Sequence, residues 1–563
     1  MAMPARLRQS TMARLARSPI VIMNVLVVTA TAFYLVAFFV SLPRLLPAIY
    51  QLADNAIAPY LMQGWEHAPA GAHMLMANVP WYSAYWLMRV LGLLPDHRAL
   101  WEFAPWLLSS LACGCVGWAT AKAAGRGAGL LVSAGLICAG TALLPLQFAW
   151  GVHGITYVYV LVLGAFGVWL ADDSSRRSST LFWWVVCLMT ALTAVGVASD
   201  PLVLLAGLLP FAGTGVALAA RSPETLRRLR SAVAAVTFGS VVVSVLFGAV
   251  MRSAGLAADH YPIKLVSPGE IGPHLLLLVQ GTFALLNGYL HEGPVWPFGY
   301  LSPTGLLGYC CSVAVVLLVV MAVSLAVRVI RSRRETSASR ATGVGPAMFA
   351  HSAYWLMSAV VLAVVYVFST AAVDLQSKRY IVTVAYAVLI LGVTGGMTLR
   401  SRRPAQFIVA ACVAVVVLSG AVGLVRSQVS AQYRRFPSLT LSKAVAALAY
   451  TEHVKLGYAG YWDAFPLGWL SSSAVPIYPI TQCGSRLCPT VRATIGVGID
   501  SWYHARSHIR SMLVLDPVFD SADSLPSRAP AYLGHPLGGV HVVDHRLDVY
   551  VYGYDIAGRL ARG

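Results

Sequence analysis

Five places in the 563-residue sequence set ionisable side chains beside long apolar runs. Asp54 stands in QLADNAIAPY, just past the first such run. His153 stands in FAWGVHGIT, and Asp200 in VASDPLVLL, a very tight turn between two runs. Asp259 and His260 adjoin in AADHYPIK, while Asp374, Lys378 and Arg379 share TAAVDLQSKRYIV. Ionisable groups near membrane depth are costly and by default suggest function. A carboxylate can take a proton from a hydroxyl, and a Lys/Arg pair can hold a phosphate, the Arg as a two-pronged donor. The set therefore suits moving a group from a phosphate to a hydroxyl. Plainer roles stand beside this one. Asp200 precedes Pro201 and makes a good helix cap, and Asp54 would cap a helix as well. His153 before Gly154 fits a turn, Asp259 and His260 fit an ordinary loop, and Lys378 and Arg379 fit interfacial anchors.

The elements that must position these residues are membrane helices. The chain is 58% hydrophobic and 11% charged, with a mean hydropathy of +0.70. A soluble protein carries about 25% charged residues, so lipid must be the solvent for most of this one. Apolar runs predict about eleven spans of the length that crosses a bilayer. They lie at 20–43, 103–122, 128–147, 155–172, 181–198, 201–219, 232–251, 304–329, 351–370, 380–398 and 405–425. The first is too long for a cleaved signal and reads as a signal anchor. The stretch 271–291 lacks Asp, Glu, Lys and Arg but carries Pro273, His274, Gln280 and Asn287. If it crossed, Arg331, Arg333, Arg334 and Arg340 would lie outside, so it is placed at the outer interface or as a re-entrant helix.

The net charge of +18 is a topology signal, not a nucleic-acid footprint. Arg6, Arg126, Arg176, Arg177, Arg227, Arg228, Arg331, Arg333, Arg334, Arg402 and Arg403 all fall on one side when the N-terminus is cytoplasmic. The five ionisable places then all fall on the other side. That outer side also holds the long loops, 44–102 and 252–303. The first contains IYQLADNAIAPYLMQGW and VPWYSAYWLMRVLGLLP, which read as two amphipathic interfacial helices.

From residue 426 charge becomes denser and no run is long enough to span. LTLSKAVAALAYTEH predicts a helix, and VKLGYAGYW, AVPIYPIT, SMLVLDPVF, GVHVVDH and LDVYVYGYDI predict strands. The fold class is thus a polytopic helical membrane protein, residues 1–425, followed by an outer α/β domain, 426–563. Cys113, Cys115, Cys138, Cys187, Cys310, Cys311 and Cys412 sit in or beside spans as small hydrophobes. Cys483 and Cys488 bracket four residues in the outer domain, where an oxidising compartment favours a disulfide. No second close Cys or His pair completes a zinc site.

A first span, a long outer loop that opens on an acid, interfacial helices and an outer α/β domain resemble the GT-C superfamily of membrane glycosyltransferases. The resemblance covers roughly residues 20–425, mainly by topology. It implies a polyprenyl-phosphate sugar as donor and inverting transfer to a cell-envelope glycan, glycolipid or protein. It makes Asp54 the base, while the residues themselves point to Lys378 and Arg379 as the donor-phosphate site, with His153, Asp200, Asp259, His260 and Asp374 as accessory candidates. Many members carry an Asp-Glu pair where this chain has Asp54-Asn55, and an acid in the second outer loop where it offers only Gln147 and His153. A divalent metal stays open, and a metal-free single Asp fits better. The setting implied is a bacterial inner membrane with the C-terminal domain outside. Two other classes compete: a transporter or flippase of a lipid-linked precursor, and a non-catalytic scaffold. Charges at the outer ends of spans and the lack of an inverted repeat weigh against a transporter. The long outer loops in the first half are unexplained by a scaffold.

Overall fold

The computed structural model describes residues 19–560, except 78–80, 96, 139, 152, 174–178, 221–226, 260–262, 289–302, 332–344, 400–402, 427–435, 473, 493–495 and 518–524. Among the described residues, ten helices are long and apolar enough to cross a membrane. The chain is a multi-pass membrane protein. The ten coincide with all but one of the expected spans.

The exception is 128–147, which forms a helix Arg126–Ile137 and a short helix Leu144–Phe148 with a break between them. The chain nonetheless returns across the bundle there. Trp150 Nε1 donates to the Trp101 carbonyl at 2.5 Å at one end of the bundle. Ala119 packs with Ala165 and Val168 further along the same two helices. Helices His97–Ala124 and Gly154–Asp172 therefore run parallel, and the broken pair carries the chain back between them. The first helix runs on past the expected end at residue 43 to Ile49, through Pro43 and Pro47.

Pro210 shapes another crossing. Its missing N–H leaves the carbonyl four residues back without its helical donor. The helix relaxes into a π turn over Leu204–Leu208. The Ser358 hydroxyl from a neighbouring span then donates to the Ala206 carbonyl at 2.7 Å. In lipid, such a side-chain donor is what makes an internal proline tolerable.

The two segments expected as interfacial helices have different fates. Trp81–Leu91 keeps Trp86 and Val90 exposed, as a headgroup-depth helix would. Ala53–Glu66 instead buries Ala53 and every residue from Asn55 to Met62. It lies beneath the helix Tyr461–Leu470 of the C-terminal part, and the Tyr60 hydroxyl bonds both the N–H and the carbonyl of Ile477, at 2.7 and 3.0 Å. Its apolar face thus meets protein, which amphipathicity alone could not distinguish from lipid.

The C-terminal part forms a six-stranded sheet in the order β5-β4-β3-β7-β9-β8. In chain order these are β3 (Val454–Ala459), β4 (Ile477–Cys483), β5 (Arg486–Pro489), β7 (Arg510–Leu515), β8 (Val540–Val543) and β9 (Leu547–Tyr552). The parallel neighbours β4 and β7 flank β3. Gly484, at φ +62°, makes the two-residue β4–β5 turn, and a Cys483–Cys488 disulfide ties that hairpin with Cα atoms 5.8 Å apart. A second sheet joins segments that are remote in sequence. β1 (Met74–Ala77) from the first long loop pairs in parallel with β2 (Leu256–Asp259) from the second, and antiparallel with β6 (Gly498–Ile499). Both long loops and the C-terminal part are thereby fastened together over one end of the bundle.

Candidate functional site

The helix Ala53–Glu66 starts one residue before Asp54, which places the carboxylate in its first turn. Far along the chain, Asp374 accepts from the N–H groups of Gln376 and Ser377 and opens a 3₁₀ helix, Leu375–Ile381. That turn carries Arg379 toward the first loop. Arg379 Nη1 donates to Asp54 Oδ2 at 3.1 Å, across 325 positions of sequence. Tyr461, at the carboxyl end of β3, donates its hydroxyl to Asp54 Oδ1 at 2.7 Å. The Asp54 side chain is 16% exposed and that of Arg379 33%, so solvent still reaches the pair.

Arg379 is further held by its surroundings. The Tyr157 hydroxyl donates to its backbone carbonyl. Its guanidinium carbon lies 5.3 Å from the centre of the Tyr380 ring. Nε is buried and has no hydrogen-bond partner among the described residues. Donor capacity is thus left over after the ion pair with Asp54.

Lys378 points elsewhere. A Cβ added at Gly281 would lie 3.2 Å from its Cβ, so its stem packs against the helix Ile271–Leu285. That helix has 15 residues, fewer than the roughly 20 that span a bilayer. The His274 ring faces the Val367 carbonyl at 3.1 Å, and the helix packs beside the turn that carries Arg379.

Behind Tyr380 lies a second group. His153 Nδ1 meets Asp200 Oδ2 at 2.5 Å, the Thr156 hydroxyl donates to the same oxygen at 2.5 Å, and the Leu202 N–H donates to Oδ1 at 2.9 Å. Asp200 does cap the helix that begins at Pro201, and it also holds the histidine. Burial alone would push its carboxyl up, but His153 and the hydrogen bonds from His153, Thr156 and Leu202 bring it below the usual value. The His153 and Tyr380 ring centres are 5.0 Å apart.

Asp374 is exposed and serves as the cap described above. Asp259 ends β2 opposite Ala77, and His260 lies outside the described residues. Sequence reasoning passed over Tyr461, Tyr380, Tyr157 and Thr156. Gly460 directly before Tyr461 was the available signal, since the end of a parallel strand is where a strand-to-helix turn presents side chains to a ligand. Both Asp54 oxygens are engaged, by a guanidinium and a hydroxyl, and no three His, Cys, Asp or Glu side chains converge among the described residues.

No described family and no curated protein matches the sequence. Solved structures do match its shape. ArnT from Cupriavidus metallidurans in the apo state superposes with a TM-score of 0.52 at 16% identity, over 95% of this chain and 99% of that one. The same protein bound to undecaprenyl phosphate gives 0.50 at 15% identity, over 93% and 97%. The chain thus shares the fold of ArnT from the first described span to the C-terminal sheet.

Proposed function

We propose that this chain is a membrane glycosyltransferase that takes one sugar from a polyprenyl-phosphate donor. It transfers that sugar, with inversion, to a hydroxyl of a cell-envelope glycan, glycolipid or protein. The observation that carries the reading is the contact between Asp54 and Arg379, a base and a phosphate ligand brought together from positions 325 residues apart in the sequence. The shared fold supports it, since one of the ArnT structures holds undecaprenyl phosphate.

Arg379 receives the donor phosphate on its partly exposed guanidinium. Lys378 lends positive charge from the adjoining position. When the phosphate takes Arg379, Asp54 is released from its ion pair and becomes free to accept the acceptor's proton. Donor binding thus switches on the base, so the order of binding is donor first, acceptor second. Tyr461 keeps Asp54 aimed throughout. A structure of the full chain in nanodiscs with polyprenyl phosphate tests this. The headgroup should lie on Arg379 with Asp54 moved off it. A headgroup bound away from Arg379 overturns the reading.

The site faces outward, in a bacterial inner membrane with a cytoplasmic N-terminus. The basic loops support this orientation. Reporter fusions after residue 340 should behave as cytoplasmic and fusions after residue 430 as external. A cytoplasmic signal after 430 overturns the orientation.

A further inference from the structure

Asp200 and His153 form a pair that neither the base nor the arginine requires. Asp200 is 5% exposed and has three donors converging on its carboxylate. Helix capping needs only one of them, the Leu202 N–H. His153 adopts φ +64°, a left-handed conformation uncommon outside glycine and tolerated mainly by Asn, Asp and His. A turn alone would be met at no cost by glycine. The strain is accepted where it brings Nδ1 to Asp200.

With Nδ1–H donated to Asp200, the tautomer is fixed and Nε2 is the ring's remaining functional atom. His153 is 12% exposed, and Nε2 has no hydrogen-bond partner among the described residues. The ring stacks obliquely on Tyr380, whose other neighbour is the Arg379 guanidinium. Asp54 lies beyond Arg379. The order Asp54, Arg379, Tyr380, His153 therefore sets a carboxylate at one end and an imidazole at the other, with the phosphate-binding arginine between them.

We infer that His153, oriented by Asp200 and Thr156, is a second ligand for the leaving phosphate of the donor. The inference rests on the proposed function. An inverting displacement has its acceptor on one face of the anomeric carbon and its leaving group on the other, and the two ends of this row match those two roles. The acceptor O–H gives its proton to Asp54 as the new C–O bond forms. The bond from the anomeric carbon to the phosphate oxygen breaks, and its electron pair stays on that oxygen. The protonated His153 presents Nε2–H to the phosphate as its charge rises. No further reactant is needed. His153 touches the phosphate and is catalytic in that sense, whereas Asp200 and Thr156 are positioning residues.

A protonated ring donates from Nε2, while the neutral ring in this tautomer offers only a lone pair, which repels an oxyanion. Among the described residues, the other charged or titratable groups around the ring are Asp200 on the turn before Pro201, Tyr157 on the helix that follows His153, and Arg379 and Tyr380 on the 3₁₀ turn. Of these side-chain types, histidine alone has its ordinary range of charge change between about pH 5 and 8. The phosphate itself has a second ionisation near about pH 6, but this is common to every variant.

The test titrates the full chain in nanodiscs with polyprenyl phosphate across that range. His153→Asn is the chosen variant because Asn tolerates the left-handed backbone. Wild type should bind about tenfold more tightly than His153→Asn at the acid end, and the ratio should fall toward one at the alkaline end. Asp200→Asn should move that fall to lower pH, a change that loss of the helix cap would not produce, since Asn caps equally well. A ratio independent of pH overturns the role of His153. An Asp200→Asn profile superposing on wild type overturns its orientation by Asp200. If wild type binds no polyprenyl phosphate at any pH, the proposed function itself fails and this inference with it.

Discussion

Asp54→Asn should lose sugar transfer by about 10²–10⁴-fold, the range general base catalysis contributes. It should do so while binding polyprenyl phosphate slightly more tightly than wild type. The two halves come from one contact. Asn keeps the shape of Asp, still accepts the Tyr461 hydroxyl and can still start the helix Ala53–Glu66. It cannot take a proton at neutral pH. It also carries no charge, so Arg379 is relieved of the partner with which a phosphate must compete. Partly exposed ion pairs are worth roughly 0.2–1 kcal/mol, so the gain in affinity should be about 1.5–5-fold. Transfer from a polyprenyl-phosphate sugar and binding of the bare phosphate lipid, measured on the same preparation, separate these effects. Near wild-type transfer would remove Asp54 from the base position. A loss of both transfer and binding would make it a structural support instead.

What the sequence exposed and what it concealed divide along a physical line. Spans are legible because about 20 apolar residues in a row have almost no other use. The break in 126–148 was not, because periodicity and hydropathy hardly change where the helix stops. The strands of the C-terminal sheet were marked by β-branched and aromatic runs, and their order was not, since β3 pairs with β7 across some fifty residues. Asp54 and Arg379 stood out singly because a charge near lipid is costly. Their contact depends on how the 3₁₀ turn at Leu375–Ile381 folds against the first loop. Tyr461 was hidden for a related reason. A tyrosine in a soluble domain is unremarkable until the three-stranded seam of β1, β2 and β6 brings that domain down onto the bundle. The same seam explains why helix Ala53–Glu66 is buried: its amphipathic pattern reports that one face is covered without saying by what.

Arg379→Lys is the sharpest test of how the two halves of the site are coupled. Lysine keeps the charge but loses the planar fork, and with it the Nη1 bond to Asp54. Affinity for polyprenyl phosphate should fall by tenfold or more, on the order of 1.4 kcal/mol. Donor KM should rise by a similar factor. The informative comparison is the same substitution in the Asp54→Asn background. If phosphate and Asp54 compete for one guanidinium, Arg379 is partly occupied in wild type and fully available once Asp54 is neutral. Removing the fork should then cost more affinity in the Asp54→Asn protein than in wild type. The difference between the two costs is the coupling energy of the pair, and residues in contact commonly couple by about 0.5–3 kcal/mol. Equal costs in both backgrounds would mean that the phosphate never displaces Asp54, and donor binding would then not be the event that frees the base. A larger cost in wild type would reverse the argument, making Asp54 the residue that holds Arg379 in place for the phosphate.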